Sequence, residues 1–205
     1  MNFVMNPLDR ANLIKLEADL ILQKVRLMEI LGPYGKITFT GSYFLDVMVY
    51  PDIDIYISKL TVAQLFQVGA QLAESELVVQ VVFEKSNDPQ MPGGLYLKPR
   101  IAYGDWGRPW KIDIWSLDEA LIEQKMESMR RFKARMTDQV RGQIINYKLS
   151  IMSSTRRTPM YSGYFIYKAF IDEGLTDYKE VTNYLIKNGI EIEGSGGGEV
   201  KSTIS

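Results

Sequence analysis

The stretch that decides the fold is Ile37-Thr-Phe-Thr-Gly-Ser-Tyr-Phe-Leu-Asp-Val-Met-Val-Tyr-Pro-Asp-Ile-Asp-Ile-Tyr-Ile57. It joins a β-prone run to Gly41-Ser42, then to a short segment, and finally to a run in which acidic and apolar residues alternate. Because successive side chains on a strand point to opposite faces, Asp52 and Asp54 share one face while Ile53 enters the core from the other. The sequence therefore predicts two neighbouring carboxylates on a half-buried strand.

Two carboxylates at this spacing are typical of a divalent-cation site. They lie about 7 Å apart along the strand, given a rise of roughly 3.4 Å per residue. Without a cation they repel each other and each resists ionisation. A pair of divalent cations resolves that conflict and stabilises in-line phosphoryl displacement. Gly41-Ser42 complements the acids, because glycine lets phosphate oxygens approach the backbone and a serine at a helix start donates hydrogen bonds to anions.

Composition narrows the chemistry further. The chain has 205 residues with 46% hydrophobic content, which fits one domain or one domain with a small helical appendage. It contains no cysteine and no histidine, which excludes disulfides, thiolate zinc sites and cysteine nucleophiles. Any metal site must then be built mainly from carboxylates, whose oxygens favour a hard cation such as Mg²⁺. The sequence has no signal-peptide pattern and no apolar run long enough for a membrane span, so we expect a cytoplasmic protein without membrane contact.

Periodicity predicts the order of elements. Strands are predicted at 36–40, 52–58, 77–85, 95–103 and 110–115, and helices at about 7–31, 62–74, 117–136, 138–152, 162–172 and 177–188. The first helix rests on the spacing of Leu13, Leu16 and Leu20, and the second and third rest on capping boxes that begin at Thr61 and Ser116. Pro99 predicts that the fourth strand is an edge strand or is bulged.

These elements predict an α+β fold, with a small mixed β-sheet, helices packed on one side of it, and a C-terminal helical segment. We expect a core over residues 1–120, a helical segment over 121–190, and a disordered glycine-rich tail over 191–205.

The Gly-Ser and Asp-x-Asp pattern resembles that of the DNA polymerase beta-like nucleotidyltransferases, including their small antibiotic-modifying and minimal members. In that family a glycine followed by Gly or Ser precedes, by nine to thirteen residues, an Asp, a hydrophobic residue and a second acid. Here nine residues separate Gly41-Ser42 from Asp52-Ile53-Asp54. The resemblance implies the nucleotidyltransferase fold, with Asp52 and Asp54 as metal ligands and Gly41 and Ser42 as triphosphate contacts.

The same resemblance implies three further features of the site. Asp113, flanked by apolar residues in the predicted strand at 110–115, takes the place of the family's third carboxylate, which is a general base and a metal ligand. Lys148 takes the place of a helix cation that contacts the phosphates. Two Mg²⁺ ions and a nucleoside triphosphate are the implied cofactor and donor substrate.

The implied reaction moves a nucleoside monophosphate from the triphosphate to a hydroxyl acceptor and releases pyrophosphate. A net charge of −1 argues against a long nucleic acid as acceptor and favours a small hydroxylated molecule. Residues 125–157 carry 9 Lys/Arg against 2 Asp/Glu, and such a run is ordinarily a solvated helix face.

Two other functions remain open from the sequence. A glycosyltransferase would use the Asp-x-Asp pair to hold a metal and a sugar nucleotide, but it leaves Gly41-Ser42 unexplained. A catalytically silent nucleotide-binding module of the same fold, acting with a partner protein, would bind nucleotide without turnover. Fold alone does not choose among these functions.

Overall fold

The computed structural model describes residues 5–192. Its helices are α1 (Pro7–Lys24), α2 (Leu27–Leu31), α3 (Gly41–Leu45), α4 (Val62–Ala73), α5 (Glu119–Arg135), α6 (Asp138–Ser150), α7 (Ser162–Ile171) and α8 (Tyr178–Lys187), with one 3₁₀ turn at Gly32–Tyr34. Its strands are β1 (Ile37–Thr40), β2 (Asp52–Ser58), β3 (Val78–Lys85), β4 (Leu95–Ile101) and β5 (Trp110–Leu117). All but the first two residues of the predicted disordered tail lie outside the described residues.

The five strands form one mixed sheet in the order β1-β2-β5-β4-β3. β2 and β5 run parallel, and the other neighbouring pairs are antiparallel. The predicted α+β class with a small mixed sheet is therefore confirmed. The parallel pair positions the acids predicted from the sequence, because it places β2 and β5, which are far apart in sequence, side by side and in the same direction.

The two faces of the sheet have different roles. Ile53, Ile55 and Ile57 on β2 are fully buried and pack with apolar residues of α1, α2 and α4, which lie on this face as predicted. Burying each such side chain contributes about 1.5–3 kcal/mol before entropy costs. The alternate residues Asp52 and Asp54 point to the opposite face, which the C-terminal helices approach through a second apolar core. The site thus lies between the sheet and the C-terminal helical segment.

The position of β4 differs from the prediction. β4 lies between β3 and β5, so Pro99 is in an interior strand and not at an edge. The pairing with β5 is present at 95–97 and 100–101, in the same register on both sides, and it is interrupted at Lys98 and Pro99. The missing proline amide is therefore accommodated by a gap in the β4–β5 ladder. The β3–β4 ladder carries a register shift between Val78 and Gln80, so the irregularity lies in the neighbouring strand β3 and not at Pro99.

The second predicted capping box is also wrong, although the first is confirmed. Thr61 and Gln64 form the reciprocal hydrogen bonds of a capping box at the start of α4. Ser116 instead belongs to β5, is completely buried, and its hydroxyl accepts a 2.7 Å hydrogen bond from the amide of Leu60. That hydroxyl is therefore used by the loop that follows β2 and does not cap a helix, and α5 begins later, after Asp118.

The predicted first helix is divided at Arg26, which has a left-handed backbone with φ of 53°. Val25 and Leu27 on either side are both buried. In a continuous helix these two side chains would point about 200° apart, so the break lets both reach the core. The buried face of α1 also differs from the prediction, because Leu13, Leu16 and Leu20 are exposed and Ile14, Ala18 and Ile21 fill the core.

Within residues 5–192, none of the helices combines the length and apolar character needed to cross a lipid bilayer.

Candidate functional site

Three carboxylates converge at the β2–β5 pair. Asp54 on β2 is the direct register partner of Asp113 on β5, and Asp52 lies two residues before Asp54 on the same face. Oxygen atoms of the three side chains all lie within 4.8 Å of one another, close enough to share a cation. The parallel register thus joins acids that are about sixty residues apart in the sequence.

A tight turn at the end of β1 brings Gly41 against Asp54. Gly41 adopts a left-handed backbone with φ of 59°, which glycine tolerates better than other residues. A side chain at this position would collide with the Asp54 carboxylate. α3 starts at Gly41, so Ser42 lies in its first turn, where backbone amides have no helical acceptor.

Lys148 on α6 binds the turn and the residues that follow it. Its ammonium donates hydrogen bonds to the Ser42 hydroxyl at 2.8 Å and to the Val47 carbonyl at 2.7 Å. The Tyr167 hydroxyl on α7 lies 3.0 Å from the same serine oxygen. Burial lowers the pKa of Lys148 to about 7, although the carboxylates of Asp52 and Asp54 oppose this change. The sequence-predicted phosphate contacts Ser42 and Lys148 therefore touch each other directly.

The acidic cluster contains its own counter-charge. The Lys111 ammonium lies 2.9 Å from Asp52 and 2.5 Å from Asp113. The hydroxyl of Tyr96 on β4 donates a 2.6 Å hydrogen bond to the other oxygen of Asp113. Sequence reasoning missed both residues. The sequence could have indicated Lys111, because it lies two residues before Asp113 on one strand and therefore shares its face. Tyr96 could not be found in this way, because its contact with Asp113 depends on the register between β4 and β5.

The carboxylates of Asp52 and Asp54 have the properties expected of ligands for a hard divalent cation. One oxygen of Asp52 is buried without any hydrogen-bond partner among residues 5–192, and such an atom is costly unless something binds it. Burial raises the pKa of Asp52 to about 6, with Asp113 acting in the same direction and Lys111 opposing it. Burial and the two neighbouring acids raise the pKa of Asp54 well above its ordinary value. A clustered, all-oxygen donor set of this kind matches Mg²⁺.

We expect metal-free protein to lose stability as the pH rises from about 4.5 to about 6.5, with Asp52 alone contributing about 1–2 kcal/mol. The folded pKa values of Asp52 and Asp54 exceed the unfolded value. Their stabilising protonation is therefore complete below the unfolded pKa and is lost as the pH passes the folded pKa. Lys148 stays protonated in both states below its folded pKa of about 7 and adds little slope in this window.

Thermal melts of metal-free protein at several pH values would measure this effect. The profile of Asp52→Asn should be flatter than that of the wild type. Asp105→Asn, which removes an exposed loop acid, should keep the wild-type profile. Parallel profiles for wild type and Asp52→Asn would contradict the expectation.

A cavity of about 520 Å³ opens beside the carboxylates, which is within the range of small-molecule sites. Asp52, Asp54 and Ser42 form its polar side, and the opposite side includes the exposed side chains of Met160 and Tyr161. The cavity thus spans the sheet and the segment that precedes α7.

Most of the basic stretch points elsewhere. Arg131 and Arg135 both pair with Asp172 on the protein surface, and Arg130 pairs with Glu123. Of the basic residues in that stretch, Lys148 and Arg157 line the cavity. The structure therefore brings together Asp52, Asp54, Asp113, Gly41, Ser42 and Lys148, and it leaves the helix-face arginines outside.

Comparison with known proteins finds no matching family model and no matching curated protein. Among solved structures, the Cid1 poly(U) polymerase with MgGTP bound has a TM-score of 0.43 at 14% identity, over 67% of this chain and 43% of that chain. The GLD-2/RNP-8 complex has a TM-score of 0.48 at 12% identity, over 93% of this chain and 73% of that chain. A second Cid1 structure, described as an RNA terminal uridylyl transferase, has a TM-score of 0.41 at 14% identity, over 67% of this chain and 41% of that chain. The chain thus spans less than half the length of both Cid1 structures, and TM-scores below 0.5 do not by themselves establish a common family.

Proposed function

We propose that this protein is a metal-dependent nucleotidyltransferase, which moves a nucleoside monophosphate from a nucleoside triphosphate to a hydroxyl acceptor and releases pyrophosphate. The observation that carries the proposal is the convergence of Asp52, Asp54 and Asp113 within 4.8 Å, beside the turn at Gly41. The turn favours this reaction over the glycosyltransferase alternative, which has no use for a phosphate-binding glycine at that place.

In this proposal Asp52, Asp54 and Asp113 hold two Mg²⁺ ions. When bound, Mg²⁺ offsets the negative charge that develops on the phosphoryl oxygens during transfer. The partnerless oxygen of Asp52 and the raised pKa values of Asp52 and Asp54 support the assignment, since both features describe carboxylates that lack a cation.

Asp113 acts as the general base. It takes the proton of the acceptor hydroxyl, whose oxygen attacks the α-phosphorus in line while the bond to the pyrophosphate oxygen breaks. Tyr96 orients the Asp113 carboxylate through its 2.6 Å hydrogen bond. Gly41 and Ser42 meet the triphosphate through backbone amides, and Lys148 fixes the Ser42 side chain while adding positive charge behind it.

The two parts of the chain have separate roles in this reaction. Residues 1–120 form the catalytic core, and the helical segment 121–190 supplies the wall of the nucleotide cavity opposite the carboxylates. Lys148 and Tyr167 join the two parts, because both reach the Ser42 hydroxyl on the core side. Nucleotide is therefore expected to bind between them.

The proposed acceptor is a small hydroxylated molecule. A net charge of −1 supports a small acceptor over a long polyanion, which normally meets a larger basic surface. An acceptor panel should nevertheless include an RNA oligonucleotide with a free 3′ hydroxyl beside hydroxylated small molecules, so that the acceptor class is measured directly.

The test is pyrophosphate release from each nucleoside triphosphate with Mg²⁺ across that panel. We expect activity in the wild type and a loss of about 10²–10⁴-fold in Asp113→Asn, as for removal of a general base. Undiminished release by Asp113→Asn would refute the proposed mechanism. Nucleotide binding without release for any acceptor would favour the silent module instead, and turnover of sugar nucleotides would favour the glycosyltransferase.

A further inference from the structure

Lys111 occupies a position within the carboxylate cluster that a divalent cation would also use. It is the register partner of Asp52 on the parallel strand and stands two residues before Asp113 on its own strand. Its side chain is 16% exposed, and those of Asp52 and Asp113 are 14% and 12% exposed. The ammonium is therefore held between these two acids by the sheet itself, away from most of the solvent.

The three acids are unequally satisfied as a result. Both oxygens of Asp113 are engaged, one by Tyr96 and one by Lys111. One oxygen of Asp52 also meets Lys111, whereas its other oxygen has no partner among residues 5–192. No side chain in that range donates a hydrogen bond to Asp54. The half of the site formed by Asp54 and the free Asp52 oxygen is open, and the half formed with Asp113 is closed by an ammonium group.

The Lys111 ammonium is ion-paired with both Asp52 and Asp113, so the closed half already holds a cation. A second cation entering the closed half must therefore displace a positive charge, because two cations cannot share the same oxygens without repulsion.

We propose that Lys111 is a tethered cation that competes with the second divalent metal for Asp113 and Asp52. Metal binding is then sequential. The open half fills first, and the closed half fills after the Lys111 ammonium leaves Asp113. This inference rests on the proposed metal-dependent function.

The test is Mn²⁺ binding to nucleotide-free protein, measured by calorimetry and by the loss of the free Mn²⁺ electron paramagnetic resonance signal. In Lys111→Met, which keeps the length of the side chain without its charge, we expect the weakest binding step to tighten by about tenfold. Lys111→Arg keeps the charge and should retain the weak step. Lys59→Met removes an exposed lysine paired with Asp118 and controls for net charge.

Stability gives a second readout. Without metal, Lys111→Met should melt at a lower temperature than the wild type, because three acids lose their counter-ion, and Mn²⁺ should raise its melting temperature by more than it raises that of the wild type. Lys111→Gln serves in its place if the methionine variant does not fold.

The outcomes separate this inference from the proposed function. Wild-type protein that binds no Mn²⁺ would defeat both. Wild-type protein that binds Mn²⁺ and releases pyrophosphate, together with a Lys111→Met protein whose Mn²⁺ affinity is unchanged or weaker, would overturn the role of Lys111 alone.

Discussion

Asparagine in place of Asp54 is expected to reduce pyrophosphate release by about a thousandfold or more, while making the metal-free protein more stable. Asp54 lies nearest to Gly41 and carries no hydrogen bond from another side chain within residues 5–192. Its charge is therefore opposed by Asp52 and Asp113, and Lys111 and Lys148 offset that repulsion only in part, without a hydrogen bond to Asp54. The neutral amide removes that repulsion and also removes a proposed metal ligand.

The stabilisation should be about 1 kcal/mol at neutral pH, a size common for substitutions that relieve a functional site. It should reverse at saturating Mg²⁺, because the wild type gains binding energy that Asp54→Asn cannot gain. Thermal melts with and without Mg²⁺ and a pyrophosphate assay measure the two effects on the same preparations. Asp105→Asn is the matched control and should change neither quantity.

The change in stability caused by Asp54→Asn should have opposite signs without and with Mg²⁺ if Asp54 is a metal ligand, and the same sign if its role is structural. If Asp54 only supported the fold, its replacement would lower stability and activity together, with and without Mg²⁺. A less stable metal-free Asp54→Asn protein would therefore contradict the interpretation of this cluster as acids poised for a cation.

The strands could be predicted from the sequence because their signal is local. Alternation over Asp52–Ser58 defines β2 to the residue, and the same rule places both of its acids on one face. The interior position of β4 depends on which strands pair, and this is not a local property. Pro99 favoured an edge position because proline lacks an amide hydrogen, but the β4–β5 ladder simply has a gap at that residue. The use of Ser116 by the Leu60 amide likewise depends on a contact between distant residues.

The candidate site divides in the same way. The motif alone identifies Asp52, Asp54 and Gly41 as candidate site residues, because they are close together in the sequence. The apolar residues on either side of Asp113 indicate that it is an acid on a strand. Tyr96 lies beside Asp113 only because β4 pairs with β5 in one register, which no local pattern specifies. Local periodicity thus predicts which side chains share a face, and tertiary pairing decides which of them meet.

Alanine in place of Gly41 is expected to lower pyrophosphate release by about a hundredfold or more, through displacement of Asp54. The new methyl group would collide with the Asp54 carboxylate, and the left-handed backbone with φ of 59° costs a non-glycine residue about 1–2 kcal/mol. Stability should fall by at least that amount. The measurements are chemical unfolding and the same pyrophosphate assay.

Gly142→Ala is the matched control. Gly142 lies inside α6, with nothing within 4 Å of the position that a side chain would take. Alanine there should stabilise the protein by up to about 1 kcal/mol through helix propensity and should leave the activity unchanged. Equal effects of the two substitutions would show that the turn at Gly41 has no special role.

A double-mutant cycle separates the collision from the backbone strain. In an Asp54→Ala background the carboxylate is gone, and the nearest remaining Asp54 atom, its Cβ, lies 3.5 Å from the new methyl group, an ordinary contact. The stability cost of Gly41→Ala should then shrink to the backbone strain alone, giving a coupling energy of about 0.5–3 kcal/mol between the two positions. Purely additive costs would mean that the glycine is required only for the turn, whereas coupling would mean that its missing side chain makes room for the second acid of the cluster.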